Sequence, residues 1–359
     1  MNFENRYSKV DRILHRVAFT SVKLQVSLSD MEDHLFSKKI SLIEVNKPVF
    51  ITAIPRAGTT LLLELLVKQG EFASHCYRDM PFVLVPMLWE QFSRPFRKDD
   101  ELRERAHGDG MLINVDSPEA FEEMIWKAFW KNHYTSRYIV PWEKENDDEF
   151  SFFLQNHLRK IIFLRSQKYG MDIRYVSKNN LNISRIDYIR RLFPDATIVL
   201  PFRSPVQHAA SLLKQHLNFI SIHKVDKFAK KYMQAVGHYD FGENLRPVDF
   251  SHWYSEGVSS PQETMSFWLE YWLNAYNYLL RKVGDQVKLF SYEAFCEEPA
   301  KGLRTLGEIT EMDNIDTLVG QEATIKAAKP HTVDASSVSN DLVREANDLF
   351  SELQKKSIV

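Results

Sequence analysis

The chain has 359 residues with 46 Lys and Arg against 48 Asp and Glu, a formal net charge of −2, and 44% hydrophobic residues. That balance is ordinary for a globular protein and argues against a general nucleic-acid binder, which concentrates positive charge on a domain. No stretch approaches the roughly eighteen uninterrupted apolar residues of a membrane helix, so no membrane span is expected.

Residues 6–46 read as an N-terminal helical arm, with Val10, Ile13, Leu14 and Val17 at helix-face spacing. Ser29 followed by Glu32 has the form of a capping box that opens a second helix through about Ser37. The first core strand is Pro48–Ile54, nearly all apolar, as expected for a parallel strand buried on both faces. Its helix runs from about Thr59 to Lys68 and stops at Gly70. From Asp79 to about Trp142 the sequence is aromatic and punctuated by Pro81, Pro86, Pro95, Pro118 and Pro141, which predicts short helices and loops instead of strands. The charge run Glu143–Glu149 reads as a solvated loop, followed by a helix from about Phe150 to Gln167 and a strand, Arg174–Ser177.

Asp187–Phe193 reads as a helix ending before Pro194, and Thr197–Phe202 as a second apolar strand. Helix Pro205–Leu217 follows, with Ser204 as N-cap and Pro205 at the favoured first position. Residues 221–262 are polar and irregular; a long insertion of that kind is often a lid or substrate loop. Thr264–Arg281 is an aromatic helix, Val287–Ser291 the last clear strand, and helices with a tail at Lys329–Asn340 finish the chain. Repeated strand–helix alternation predicts an α/β fold, a three-layer α/β/α arrangement around a central parallel sheet. The expected division is an arm at 1–46, a main domain at 47–328 and a C-terminal tail and helix at 329–359. Within the main domain, 79–142 and 221–262 are expected to shape an acceptor pocket and lid. The polar N-terminus does not read as a signal peptide, and two cysteines, Cys76 and Cys296, suit a reducing compartment; cytoplasmic residence follows.

The run Val49-Phe-Ile-Thr-Ala-Ile-Pro-Arg-Ala-Gly-Thr-Thr-Leu-Leu-Leu-Glu-Leu-Leu66 joins an apolar strand, a tight turn and a helix start. Backbone N–H groups of such a turn lack internal partners and the helix dipole adds positive potential, so phosphate or sulfate fits there. It is not a Walker A loop: Ala53 replaces its first glycine, and Thr59 instead of lysine follows Gly58. A second anion signal is Arg203 at the carboxyl end of a buried strand with Ser211 two turns into the next helix, able to close on one phosphate from two sides.

The first run resembles the 5′-phosphosulfate loop of sulfotransferases that use 3′-phosphoadenosine 5′-phosphosulfate (PAPS). Arg203 and Ser211 match the spacing of that family's 3′-phosphate grip. Tyr175-Val-Ser-Lys-Asn-Asn180, Phe193-Pro-Asp-Ala-Thr-Ile198 and Phe290-Ser-Tyr-Glu-Ala-Phe295 resemble its other landmarks. The resemblance runs from about Pro48 to Leu306 and is nearer the tyrosylprotein and carbohydrate branches than the small-phenol branch. It implies a P-loop-like fold and PAPS as donor, held by Pro55, Arg56, Ala57, Gly58, Thr59, Thr60, Arg203 and Ser211, without a metal. Arg56 and Lys178 would act on the sulfuryl and departing phosphate. Asp79, or else His75, would be the general base, while a plainer reading has Asp79 capping a short helix or pairing Arg78. Lys326 and Lys329 are further candidates for the 3′-phosphate, and His238 and His331 read as ordinary surface residues. The acceptor implied is a carbohydrate, lipid or small-metabolite hydroxyl. Competing readings are a small-molecule kinase with an unusual phosphate loop and an inactive nucleotide-binding scaffold.

Overall fold

Five short apolar runs form the framework: β1 (Val49–Ile51), β2 (Phe72–Ala73), β3 (Arg174–Lys178), β4 (Thr197–Phe202) and β5 (Val287–Ser291). The computed structural model describes residues 15, 18–19, 22–94, 103–104, 112–170, 172–258, 260–326 and 338–359. The strands line up as β2-β3-β1-β4-β5, all parallel, with Ile51 opposite both Lys178 and Val199, and Phe202 opposite Ser291. A parallel sheet directs every carboxyl end to one edge, and that edge carries Lys178 and the start of the Arg56 turn.

Strand side chains alternate between faces, so one strand feeds two cores. Val49, Ile51, Val176, Val199 and Phe290 join a core with Leu62, Leu63, Leu65 and Leu66 of α2 (Thr59–Lys68) and with Leu303 and Leu306 near the C-terminus. Phe50, Tyr175, Ile198, Leu200 and Leu289 face the opposite, larger core. There they meet α5 (Asp148–Tyr169), α6 (Ile186–Leu192), α7 (Pro205–Val225) and the aromatic α9 (Met265–Leu280). Each fully buried leucine on α2 is worth about 2 kcal/mol, so the loop before it rests on a firm base. The remaining labelled helices are α1 (Val22–Leu35), α3 (Pro86–Ser93), α4 (Glu123–Phe129), α8 (Lys227–Val236), α10 (Tyr292–Glu297), α11 (Pro299–Ile309) and α12 (Asn340–Lys356). No helix among the described residues is long and apolar enough to cross a membrane.

The α/β architecture, the parallel sheet and most strand and helix positions agree with expectation; four local readings do not. Ser29 and Glu32 lie inside α1 and open no second helix. Both are buried because Lys160 of α5 reaches across, its Nζ 2.8 Å from Ser29 Oγ and 2.9 Å from Glu32 Oε2. Residues 221–262 are not irregular throughout: α7 continues to Val225 and α8 follows. Asp226 caps α8, accepting from the Phe228 and Ala229 N–H groups, and Gly237 ends it at φ 86°. Ser204 makes no side-chain cap; its N–H donates to Glu293 Oε1 at 2.9 Å. The 79–142 segment holds a two-stranded antiparallel ribbon, Arg103–Glu104 with Leu112–Ile113. Val10, Ile13, Leu14, Val17, Pro95, Lys329, His331 and most of 329–340 lie outside the described residues.

Candidate active site

The turn between β1 and α2 is wound by two left-handed residues, Arg56 at φ 70° and Gly58 at φ 93°. Glycine tolerates that geometry; for arginine it costs on the order of 1–2 kcal/mol, and the surroundings must hold it. They do so from α7 and from the end of β4: His208 Nε2 on α7 donates to the Pro55 carbonyl at 2.7 Å, and Arg203, just past β4, donates through Nη1 to the Arg56 carbonyl at 3.1 Å. The His208 imidazole is fully buried; burial, with Arg203 and Arg56 nearby, pushes its pKa down to about 3, so it is a neutral donor. Ala57 is fully buried and Thr59 nearly so, while Thr60 is half-buried on the first turn of α2. No side chain caps α2, so its N-terminus is of the type that receives anions.

The two anion signals read from the sequence meet here. Arg56 Nε donates to Ser211 Oγ at 3.4 Å, although 155 positions separate them. Ser211 is buried and shares a face of α7 with His208, three residues earlier, which is why one helix reaches both the turn and the arginine. Arg203 Nε is buried without a hydrogen-bond partner among the described residues. A buried orphan donor on a charged group is costly unless something accepts from it, so the spot suits an anion.

On the other side of the turn, at the ends of β1 and β3, Asn180 links the loop to a carboxylate. Thr59 Oγ1 donates to Asn180 Oδ1 at 3.4 Å, and Asn180 Nδ2 donates to Asp240 Oδ2 at 3.0 Å. Lys178 is half-buried at the end of β3. His238, two residues before Asp240, is half-buried with its Nδ1 atom out of solvent, which is not the ordinary surface position its sequence context implied. Burial pushes its pKa down, with Asp240 and Glu119 pulling it up and Lys178 adding to the decrease. Lys178, Asp240 and Glu119 thus lie near enough to His238 to act on its charge, and Asp240 is tied to Asn180 beside the loop.

Asp79 and His75 sit in a different, buried network. Arg165 Nη2 lies 2.6 Å from both Asp79 oxygens, and Asp79 Oδ2 accepts from the Cys76 N–H at 2.9 Å. Asp79 thus caps its own short helical turn, and its partner is Arg165, while Arg78 pairs with Asp116. His75 uses both ring nitrogens: Nε2 is 2.8 Å from His157 Nε2 and Nδ1 is 3.2 Å from the Tyr175 hydroxyl. Tyr175 donates its single proton to Glu122 at 3.1 Å, so His75 Nδ1–H donates to Tyr175 and His75 Nε2 accepts from His157. Burial lowers the pKa of both imidazoles. Lys326 is exposed, just beyond the last short helical turn of the main fold.

Sequence reading missed the contacts of His208, Asn180 and Asp240 and the placement of His238 near Lys178. His208 was legible from its three-residue spacing to Ser211. The others needed the crossing of β3 with the α8 turn, which no local pattern encodes.

The sequence model of the Sulfotransferase family (Sulfotransfer_3) matches residues 48–316. No curated protein matches the chain. Among solved structures, sulfotransferase STF9 from Mycobacterium avium is 13% identical with a TM-score of 0.55, covering 100% of this chain and 88% of that one. Sulfotransferase STF1 from Mycobacterium tuberculosis H37Rv is 12% identical with a TM-score of 0.48, covering 96% and 86%. The STF9 likeness is one of fold, and it is the fold derived above. With its family model spanning well over half the sequence, the chain belongs to the sulfotransferase family, an enzyme class that uses PAPS.

Proposed function

We propose that this chain transfers the sulfuryl group of PAPS to an acceptor hydroxyl on a carbohydrate, lipid or small metabolite. The observation that carries the reading is the meeting of the two anion grips, Arg56 with Ser211 and Arg203 with the Arg56 carbonyl. One molecule with a phosphate at each end of its ribose would engage both. The uncapped α2 terminus, the left-handed Gly58 and the orphaned Arg203 Nε all fit such a doubly anionic donor.

The donor supplies a sulfur bonded to a good leaving oxygen; the protein supplies position and charge. In this reading Pro55, Arg56, Ala57, Gly58, Thr59 and Thr60 frame the 5′-phosphosulfate, and Arg203 with Ser211 grips the 3′-phosphate. As the acceptor oxygen bonds to sulfur, the bridging S–O bond breaks and its electron pair stays on the phosphate. Lys178 and Arg56 stabilise that charge. The acceptor proton goes to His238, which is kept neutral by burial and lies with Asp240 and Glu119 beside Lys178. We prefer His238 to Asp79 and His75 because it lies near Lys178 and Asp240, beside the loop, whereas Asp79 and His75 belong to the separate network of Arg165 and His157.

Incubation with PAPS labelled in the sulfate, across a panel of sugar, sterol, phenol and simple alcohol acceptors, tests the proposal. Transfer of label to one class supports it. Phosphate transfer from Mg-ATP to the same panel would favour a kinase, and donor binding with no transfer to any class would leave a scaffold.

A further inference from the structure

Tyr292, the first residue of α10, touches both halves of the donor site without belonging to either. A Cβ added to Gly58 would lie 2.6 and 2.9 Å from Tyr292 Cδ2 and Cε2, so the ring edge fills the space a side chain would need. The guanidinium of Arg203 lies 4.7 Å from the centroid of the same ring. The next residue, Glu293, accepts the Ser204 N–H at 2.9 Å and so ties α10 to the turn that carries Arg203. The ring is held from behind, since α10 follows directly on β5, and β5 pairs with β4 residue by residue up to Phe202 opposite Ser291.

We infer that Tyr292 is a positioning residue, a wedge that fixes the spacing between the Gly58 turn and Arg203 and so sets the preference for a ligand with two phosphates. The inference rests on the donor reading above. A flat ring suits both tasks: its edge packs against a backbone that lacks a Cβ, and its face orients a guanidinium by cation–π attraction. A ligand that uses both grips gains from their fixed separation, because the second contact costs less once the first is made. A ligand that uses one grip gains nothing from it.

Calorimetric titration of the whole protein with adenosine 3′,5′-bisphosphate and with adenosine 5′-monophosphate measures that preference as a ratio of affinities, with thermal melting followed alongside. Tyr292→Leu is expected to lower the ratio roughly tenfold. Tyr292→Phe, which keeps the ring, is expected to restore it. If Tyr292→Leu does not fold, Tyr292→Met, of similar volume and greater flexibility, gives the same reading. An unchanged ratio in the Leu or Met variant, even with a lower melting temperature, overturns the wedge and leaves a packing role. Failure of Phe to restore the ratio overturns it as well, pointing to the hydroxyl. A wild-type protein with no preference for the bisphosphate overturns the donor reading itself, and the wedge with it.

Discussion

Replacing Arg203 with alanine tests the donor grip where its parts can be separated. The side chain donates from Nη1 to the Arg56 carbonyl at 3.1 Å, lies over Tyr292, and holds a buried Nε with no hydrogen-bond partner among the described residues. Charge-assisted hydrogen bonds to a phosphate are worth roughly 1.5–3 kcal/mol, and the part-buried tether from the guanidinium to the uncharged Arg56 carbonyl about 1 kcal/mol. Arg203→Ala should therefore weaken adenosine 3′,5′-bisphosphate by about 2.5–4 kcal/mol, or roughly two to three orders of magnitude in Kd. Adenosine 5′-monophosphate, which lacks the 3′-phosphate, should lose only the tether, about fivefold. Titration calorimetry with both nucleotides reads the difference. Equal losses for the two ligands, or a bisphosphate affinity close to wild type, would refute the assignment of Arg203 to the 3′-phosphate.

His238→Asn should lower kcat by roughly 10²–10⁴ on an acceptor found by screening while leaving donor affinity unchanged. Burial sets the folded pKa of His238 below 6.5, so the wild-type rate should fall on an acid limb below that pH, and the variant should lose the limb. A retained limb would remove His238 as the base. Asp79→Asn leaves Arg165 buried without its carboxylate, so it should destabilise by roughly 3–5 kcal/mol in chemical denaturation with donor affinity intact; full stability with lost turnover would restore Asp79 to the chemistry. His208, His216 and His223 have folded pKa values of about 3, 4 and 4. The unfolded chain binds their protons first, so their contribution is complete above pH 6.5 and is lost as pH falls from there toward 3. Each contributes a slope of up to about 1.4 kcal/mol per pH unit in that window. His208→Gln should flatten the curve, and an identical acid transition would contradict the burial argument.

The sheet was legible because parallel strands buried on both faces leave apolar runs between punctuated helices, as at Thr197–Phe202 and Val287–Ser291. The proposed donor grips drew on local patterns, Arg56 and Gly58 in a turn, Arg203 at a strand end and Ser211 two turns on, and the structure brings these residues together. Strand β2 was not, since Phe72–Ala73 is two residues long and offers no period. The Ser29–Glu32 spacing misled because a helix interior can carry the same residues when a partner such as Lys160 arrives from elsewhere. Helix α8 had its signals, Asp226 before it and Gly237 after it, but its polar composition masked them. The Asp79 and His75 network depends on Arg165 and His157, 86 and 82 positions away, and no local spacing reports such contacts.

In the proposed function a single doubly phosphorylated adenosine nucleotide spans the Arg56 turn and the Arg203 and Ser211 grip. Titration of the wild-type protein with adenosine 3′,5′-bisphosphate in the presence of a chelator, compared with Mg-ATP, tests this most directly. Saturable binding of the bisphosphate that survives chelation and exceeds binding of Mg-ATP is the predicted result. No bisphosphate binding, or a preference for Mg-ATP, would contradict it.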